Sequence, residues 1–352
     1  MGGEGGERRG AGAAAVAPPP SGAAPPPSAA PAVKSSGGSW RIPGSLAHAL
    51  AATASGMIVC TIFQPVSLIQ TRFQVTAKAA VKAAQGSASS LPYNYKGFMD
   101  ALRTIVREEG VRALYQGLSP ALLGNAASWG LYFAFYTEAK AQWLEHKVAT
   151  RTLEADRYGN LELGAKEHIL CATAAGWLTS LCTNPIWVLK TRMQVQSYGS
   201  EGRYTSMADG ARRIWQKEGV AGLYRGLVPS LFGVSHGVVQ FVIYEDLKKW
   251  RRASTGLQQI GGPDAVIAGA VSKVVAGVTT YPYHVVKSRI QMRAPPGKPH
   301  PYTGVLDVIS KTWRREGVQG FYRGCGIAVV RTTPASALTF GLYEYILGLL
   351  HR

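Results

Sequence analysis

Internal triplication constrains this chain more than any other feature. Three segments open on a proline and reach an arginine seven positions later: PVSLIQTR at 65–72, PIWVLKTR at 185–192 and PYHVVKSR at 282–289. Each is followed by a second block: EEGVRALYQG at 108–117, KEGVAGLYRG at 217–226 and REGVQGFYRG at 315–324. The prolines stand 120 residues (185 − 65) and then 97 residues (282 − 185) apart. Two blocks recurring three times in one order describe a repeated unit, and repetition overrides chain length as a guide to architecture.

Apolar stretches on either side of these blocks mark six candidate spans, near 46–73, 118–141, 166–193, 227–248, 264–291 and 326–349. About 20 helical residues cross the hydrocarbon core, and a helix satisfies its own backbone groups there. None of the six is an uninterrupted apolar run, which predicts that part of each helix faces water. Between the two spans of each repeat lies a shorter polar segment, at 95–110, 204–219 and 302–317, ending in glycine. In the first, Phe98, Leu102, Ile105 and Val106 share one helical face, which predicts a surface helix with a glycine stop. The domain expectation is three repeats at 45–144, 165–252 and 262–350, preceded at 1–40 by a Gly/Ala/Pro-rich extension. That extension has little to bury and is expected to be disordered.

With 38 Lys and Arg against 20 Asp and Glu, the net charge is +18, which calls for a polyanionic partner: nucleic acid, anionic lipid or an anionic solute. Composition alone leaves all three open. The bases recur at helix ends and are not clustered among aromatics, which argues against nucleic acid. No P-loop or H-E-x-x-H pattern is present, and the G-x-S-x-G match GVSHG at 233–237 lies inside an apolar candidate span without the preceding strand that a nucleophile turn needs, so no enzyme is read here. Cys60, Cys171, Cys182 and Cys325 lie in apolar segments without C-x-x-C spacing and read as free thiols, so neither metal nor cofactor is called for.

The three proline blocks, each followed by a helix and an E-G block ending in aromatic-x-Gly, resemble the signature of the mitochondrial carrier family over about residues 45–350. Within it, SWGLYFAFY (128–136), LCTNPIWVLKTRMQVQ (181–196), SHGVVQFVIYEDLKK (235–249) and TYPYHVVKSRIQ (280–291) resemble the folate and FAD carrier branch, beside the NAD and pyrimidine-nucleotide carriers. The resemblance implies an all-α membrane protein: six transmembrane helices in three two-helix repeats, with short matrix-side surface helices, in a pseudo-threefold bundle. It also implies a monomer that moves an anionic aromatic solute by alternating access across the mitochondrial inner membrane, or across a plastid envelope.

The resemblance assigns roles by position. Pro65, Pro185 and Pro282 would kink the odd-numbered helices where they converge on the matrix side. The family closes that side by pairing an acid two residues after each proline with a base five residues after it. Here the acid slots hold Ser67, Trp187 and His284, and the base slots hold Gln70, Lys190 and Lys287. With no carboxylate left, hydrogen bonds or packing are expected to close this gate, with Arg72, Arg192 and Arg289 alongside. At the opposite gate, Lys140 is expected to pair with Glu245 and Lys248 with Glu344, leaving Leu347 against Thr137. Exposed pairs of this kind contribute about 0–1 kcal/mol each, which suits a gate that opens.

Substrate contacts are expected midway along the cavity, seven residues beyond the glycine that closes each second block. These are Gly124 with Asn125, Gly233 with Val234, and Arg331. Gly233 and Val234 would seat a flat ring, and Arg331 would grip a carboxylate or phosphate. Lys273 is an ammonium within an apolar helix and reads as a cavity residue, the alternative being a lysine that snorkels or bonds carbonyls. Ser128, Trp129, Trp187 and His236 would add stacking or hydrogen bonds to the ring, although helix packing explains each aromatic as well. The units around Gly117, around Tyr224, Arg225 and Gly226, and around Tyr322, Arg323 and Gly324 resemble the family's cardiolipin sites, with Gln116 weakening the first.

Overall fold

The computed structural model describes residues 44–76, 95–150, 165–196, 202–255, 262–293 and 300–350. The expectation of disorder at 1–40 falls outside them. Every regular element among the described residues is helical.

In the first repeat, α1 (Gly44–Ile62) and α2 (Gln64–Val75) form one broken span, α3 (Phe98–Glu108) is the surface helix, and α4 (Leu118–Ala149) returns. The second repeat is α5 (Ala165–Val195), α6 (Met207–Leu223), α7 (Leu227–Phe232) and α8 (Ser235–Thr255). The third is α9 (Gly262–Thr279), α10 (Tyr281–Gln291), α11 (Val305–Glu316), the single turn α12 (Val318–Phe321) and α13 (Cys325–Leu350). By length and apolar composition, Leu227–Thr255 qualifies as a membrane span, and two bent pairs, Leu50–Val75 and Asp264–Gln291, qualify when each is one span. The 32, 31 and 26 residues of α4, α5 and α13 are long enough to cross, at about 1.5 Å per residue.

The prolines act differently in the three repeats. The chain bends by 61° between α1 and α2 and by 50° between α9 and α10, in each case just before the proline enters the next helix near its N-terminus. A missing N–H costs nothing at that position, because it would be unpaired anyway. Pro185 instead lies inside α5, which continues through it.

Each surface helix is built the same way. Asp100, Asp209 and Asp307, in the first turns of α3, α6 and α11, accept the backbone N–H of Lys96, Thr205 and Thr303 at 2.9, 3.0 and 3.0 Å. A glycine with positive φ follows α3 and α11, Gly110 at 82° and Gly317 at 64°, and Gly219 at 65° kinks α6 at the equivalent position. Positive φ is costly for any residue with a Cβ, which is why glycine stands at all three positions. Three small apolar clusters fasten these helices to the lower halves of the odd spans: Leu68, Ile69 and Ile105 in the first, Val188, Leu189 and Ile214 in the second, and Val286, Ile290 and Val308 in the third. On the predicted face of α3, Phe98 and Leu102 also pack, while Val106 is exposed and Ala101 is buried in its place.

The spans close into a ring. Between repeats, α4 packs on α5, α8 on α9 and α13 on α1; within repeats, α1 meets α4, α5 meets α7, and α9 meets α13. The proline ends of α2, α5 and α10 converge, and this end is called the kink end below.

Candidate functional site

At the kink end, three buried arginines each make a bidentate ion pair to a carboxylate of their own repeat. Arg72 binds Glu109 at 2.5 and 2.8 Å, Arg192 binds Glu218 at 2.5 and 2.8 Å, and Arg289 binds Glu316 at 2.6 and 3.0 Å. These pairs link the two sequence blocks of each repeat. The third guanidinium nitrogen reaches across to the next repeat: Arg72 Nε donates to the Gln194 carbonyl at 3.1 Å, Arg192 Nε to Gln291 at 3.2 Å, and Arg289 Nε to Gln74 at 3.1 Å.

A second ring lies beside the first. The hydroxyls of Thr71, Thr191 and Ser288 donate to the side-chain oxygens of Gln194, Gln291 and Gln74 at 2.9, 2.9 and 2.7 Å. Both rings run from repeat one to two, two to three and three to one. The six hydrogen bonds of these rings tie α2, α5 and α10 together, and among the described residues no ion pair joins those three helices. Sequence reading missed both the glutamines and the glutamate partners. The signal was there: a Gln stands nine residues after each proline, and each second block carries a Glu beside its glycine.

The glycines expected to bind lipid have a packing role here. Gly117, Gly226 and Gly324 have φ of 75°, 77° and 82°. A methyl group added there would stand 2.9 Å from Gln194 Cγ, 2.8 Å from Gln291 Cγ and 3.0 Å from the Tyr281 hydroxyl, respectively. Arg225 lies 3.3 Å from Glu218, while Arg323 lies 3.4 Å from Glu316 and also donates to the Thr76 carbonyl.

Toward the cavity, the gate slots come into view. Lys190 stands over the Trp187 ring at 4.7 Å. His284 and Tyr283 rings lie 4.0 Å apart, and Lys287 shares a small polar pocket with Ser180, Asn184, Trp187 and Ser230. Ser180 Oγ and Asn184 Oδ1 in that pocket have no partner among the described residues. A methyl carbon added at Gly124 would stand 3.2–3.3 Å from Ile186 and the Trp187 ring, and one added at Gly233 would stand 3.1 Å from the Tyr283 ring and hydroxyl. Val234 is buried against Gly176. The expected ring seat at Gly233 is therefore covered by Tyr283 in this conformation.

The remaining predicted contacts make local links. Asn125 donates to Cys60 Sγ at 3.4 Å, Trp129 stacks on Phe133 with centroids 5.7 Å apart, and His236 Nδ1 lies 2.8 Å from the Thr280 hydroxyl. Lys273 donates to the Ser336 hydroxyl at 2.7 Å, and buried Arg331 Nε has no partner among the described residues.

At the far end, Lys248 lies 3.2 Å from Glu245 of its own helix, while Lys140 and Glu344 are exposed. Among the described residues no ion pair crosses the cavity there. The links run between ring neighbours instead: Lys147 to Glu167 at 2.6 Å, Arg251 to Asp264 at 3.1 Å, and Tyr343 to His48 at 2.7 Å. Among the described residues, hydrogen bonds join the three repeats at the kink end and no ion pair crosses at the other.

Comparison with known proteins agrees with this architecture. The family model described as mitochondrial carrier protein matches residues 43–147, 162–254 and 259–352. The chain is 38% identical over 314 residues to folate transporter 1, chloroplastic, of Arabidopsis thaliana, covering 87% of this chain and 96% of that protein. It is 35% identical over 308 residues to the chloroplastic nicotinamide adenine dinucleotide transporter 1 of the same plant, covering 86% and 91%. The mitochondrial FAD carrier protein of Saccharomyces cerevisiae is 31% identical over 307 residues, covering 85% and 94%. Three matched repeats, a closed six-helix ring and relatives covered almost end to end make this chain a transporter, not an enzyme, and a member of the mitochondrial carrier family.

Proposed function

We propose that this protein carries an anionic aromatic cofactor, folate or FAD first, across the mitochondrial inner membrane by alternating access. The observation that carries the reading is the charge of the cavity: Lys190, Lys273, Lys287 and Arg331 project from membrane segments that contain no Asp or Glu between 50–76, 118–137, 168–195, 226–244, 265–291 and 325–343. Such a cavity attracts anions and repels cations. The relatives named for folate, FAD and NAD transport act on solutes that fit it, and NAD or a pyrimidine nucleotide is the second reading.

In this scheme the kink end is the matrix gate, held shut by the two hydrogen-bonded rings, and the far end faces the opposite compartment. Solute binding would offset the opening of one gate while Lys140–Glu245 and Lys248–Glu344 close the other. The plastid envelope is the alternative membrane, a monomer is the proposed working unit, and the Tyr-x-Gly turns remain the proposed cardiolipin contacts, through their backbone N–H groups.

The test is uptake of labelled folate, FAD, NAD and pyrimidine nucleotides into cardiolipin-containing liposomes, with Arg331→Ala and Lys273→Ala beside the unaltered chain. Saturable uptake of one cofactor, lost in both variants, supports the reading. A well-folded protein that moves none of them removes the cofactor assignment.

A further inference from the structure

We propose that Lys190 and Lys287, which occupy gate positions, belong to the anion site, and that with Arg331 they form a floor binding a group of at least two negative charges. This rests on the reading of the chain as a carrier of anions and assigns the part of the solute that the kink end receives.

The geometry follows from the hydrogen-bonded ring. Thr71 bonds Gln194, and Thr191 bonds Gln291, at 2.9 Å each. One helical turn nearer the cavity, four residues earlier on each helix, the same pairs of faces carry Ser67 opposite Lys190 and Trp187 opposite Lys287. Trp187 and Lys287 do line one pocket. A carboxylate at 67 or 187 would satisfy either lysine, and neither position has one.

Among the described residues no ion pair reaches either lysine. The acids of the kink end, Glu109, Glu218 and Glu316, each bind an arginine of their own repeat. Lys190 instead lies within electrostatic range of two further cations, Lys287 and Arg331. Lys190 Nζ stands over the Trp187 ring at 4.7 Å and Lys287 shares a pocket with Trp187, so both side chains lie one helical turn to the cavity side of the hydrogen-bonded ring. Arg331 Nε, buried and without a partner among the described residues, completes the set. Three converging cations repel one another until an anion enters. A ligand group with two or more charges compensates them together, which a monoanion cannot do. The shared chemistry is that of a diphosphate or a dicarboxylate, held on α5, α10 and α13 at once. The solute's anionic end thereby supplies the counter-charge that the acid slots lack.

The test uses the full chain in detergent, titrated with inorganic pyrophosphate, glutarate, or acetate at matched ionic strength, with melting temperature as the readout. The unaltered protein is expected to gain a saturable stabilisation from one or both dianionic probes that acetate does not give. In Lys190→Gln/Lys287→Gln the midpoint concentration is expected to rise at least tenfold. Ser67→Asp, which offers Lys190 a carboxylate, is expected to raise the melting temperature without ligand and also to weaken probe binding, and it gives the reading if the double variant does not fold. An unchanged midpoint in a folded variant, or an equal response to acetate, overturns the proposal. Cofactor uptake separates the two readings. Unchanged uptake by the double variant removes the floor and leaves the carrier assignment; lost probe binding beside a wild type that moves no cofactor removes that assignment and leaves the floor.

Discussion

Each of the three buried arginines has all three guanidinium nitrogens engaged, between the carboxylate of its own repeat and a glutamine carbonyl of the next. Removing one partner leaves a buried charge uncompensated, which typically costs about 3–5 kcal/mol. Glu316→Ala is therefore expected to lower the melting temperature sharply, whereas Arg289→Met/Glu316→Leu, which removes both charges, is expected to lose less than either single change. Thermal unfolding of the purified variants in one detergent checks this. Gly226 is the second sensitive position: its φ of 77° and the 2.8 Å approach of Gln291 Cγ leave no room for a methyl group. Gly226→Ala is expected to cost about 1–2 kcal/mol from backbone strain alone, and more because it displaces the glutamine that accepts from Thr191. These residues were partly legible in the sequence. The arginines and glycines stood in the repeated blocks, but their partners lie 26 to 37 residues away or in another repeat, where spacing says nothing of contact.

The surface helices are the elements that couple stability to pH. Burial opposes ionisation of Glu218 on α6, but its hydrogen bonds and attraction to Arg192, with Arg225 and His300 nearby, outweigh burial and hold the carboxyl below its ordinary range. His300 sits between the Met292 carbonyl at 3.0 Å and the Tyr302 backbone, and burial with the charges of Arg225 and Arg192 pushes its ring below the ordinary 6.5. Both groups have depressed values in the fold, so their contribution is complete above the unfolded values and is lost as pH falls through the folded ones. Melting temperature is expected to fall first below about pH 6.5, as the unfolded histidine gains a proton that the folded one resists, and again in the carboxylate range. His300→Gln is expected to remove the first fall and leave the second. The elements themselves were readable: six spans, three surface helices and their glycines follow from repetition and apolar spacing. The difference between Pro185, inside a continuous helix, and the prolines at two breaks was not, because all three sit in the same motif. Counting from the motif pointed to Gly124 and Gly233, but could not show that Trp187 and Tyr283 pack against them.

For the whole molecule, hydrogen bonds join the three repeats at one end of a ring, and among the described residues no ion pair crosses at the other. The proposed opposite gate then has a charge test: Lys140→Glu is expected to slow transport severalfold, and Lys140→Glu/Glu245→Lys is expected to recover most of it, in initial rates from liposomes. Recovery would require the two side chains to meet in the other conformation, since here Glu245 is engaged with Lys248 at 3.2 Å. The central claim is that a carboxylate-free cationic cavity carries a multiply charged cofactor. Its most direct test is the initial rate of labelled folate or FAD uptake into liposomes, challenged in turn by unlabelled anionic cofactors and by cationic solutes of similar size. Saturable uptake that anionic cofactors inhibit and cations do not is the expected result. Uptake equally inhibited by cations, or transport of a cation in place of either cofactor, would contradict it.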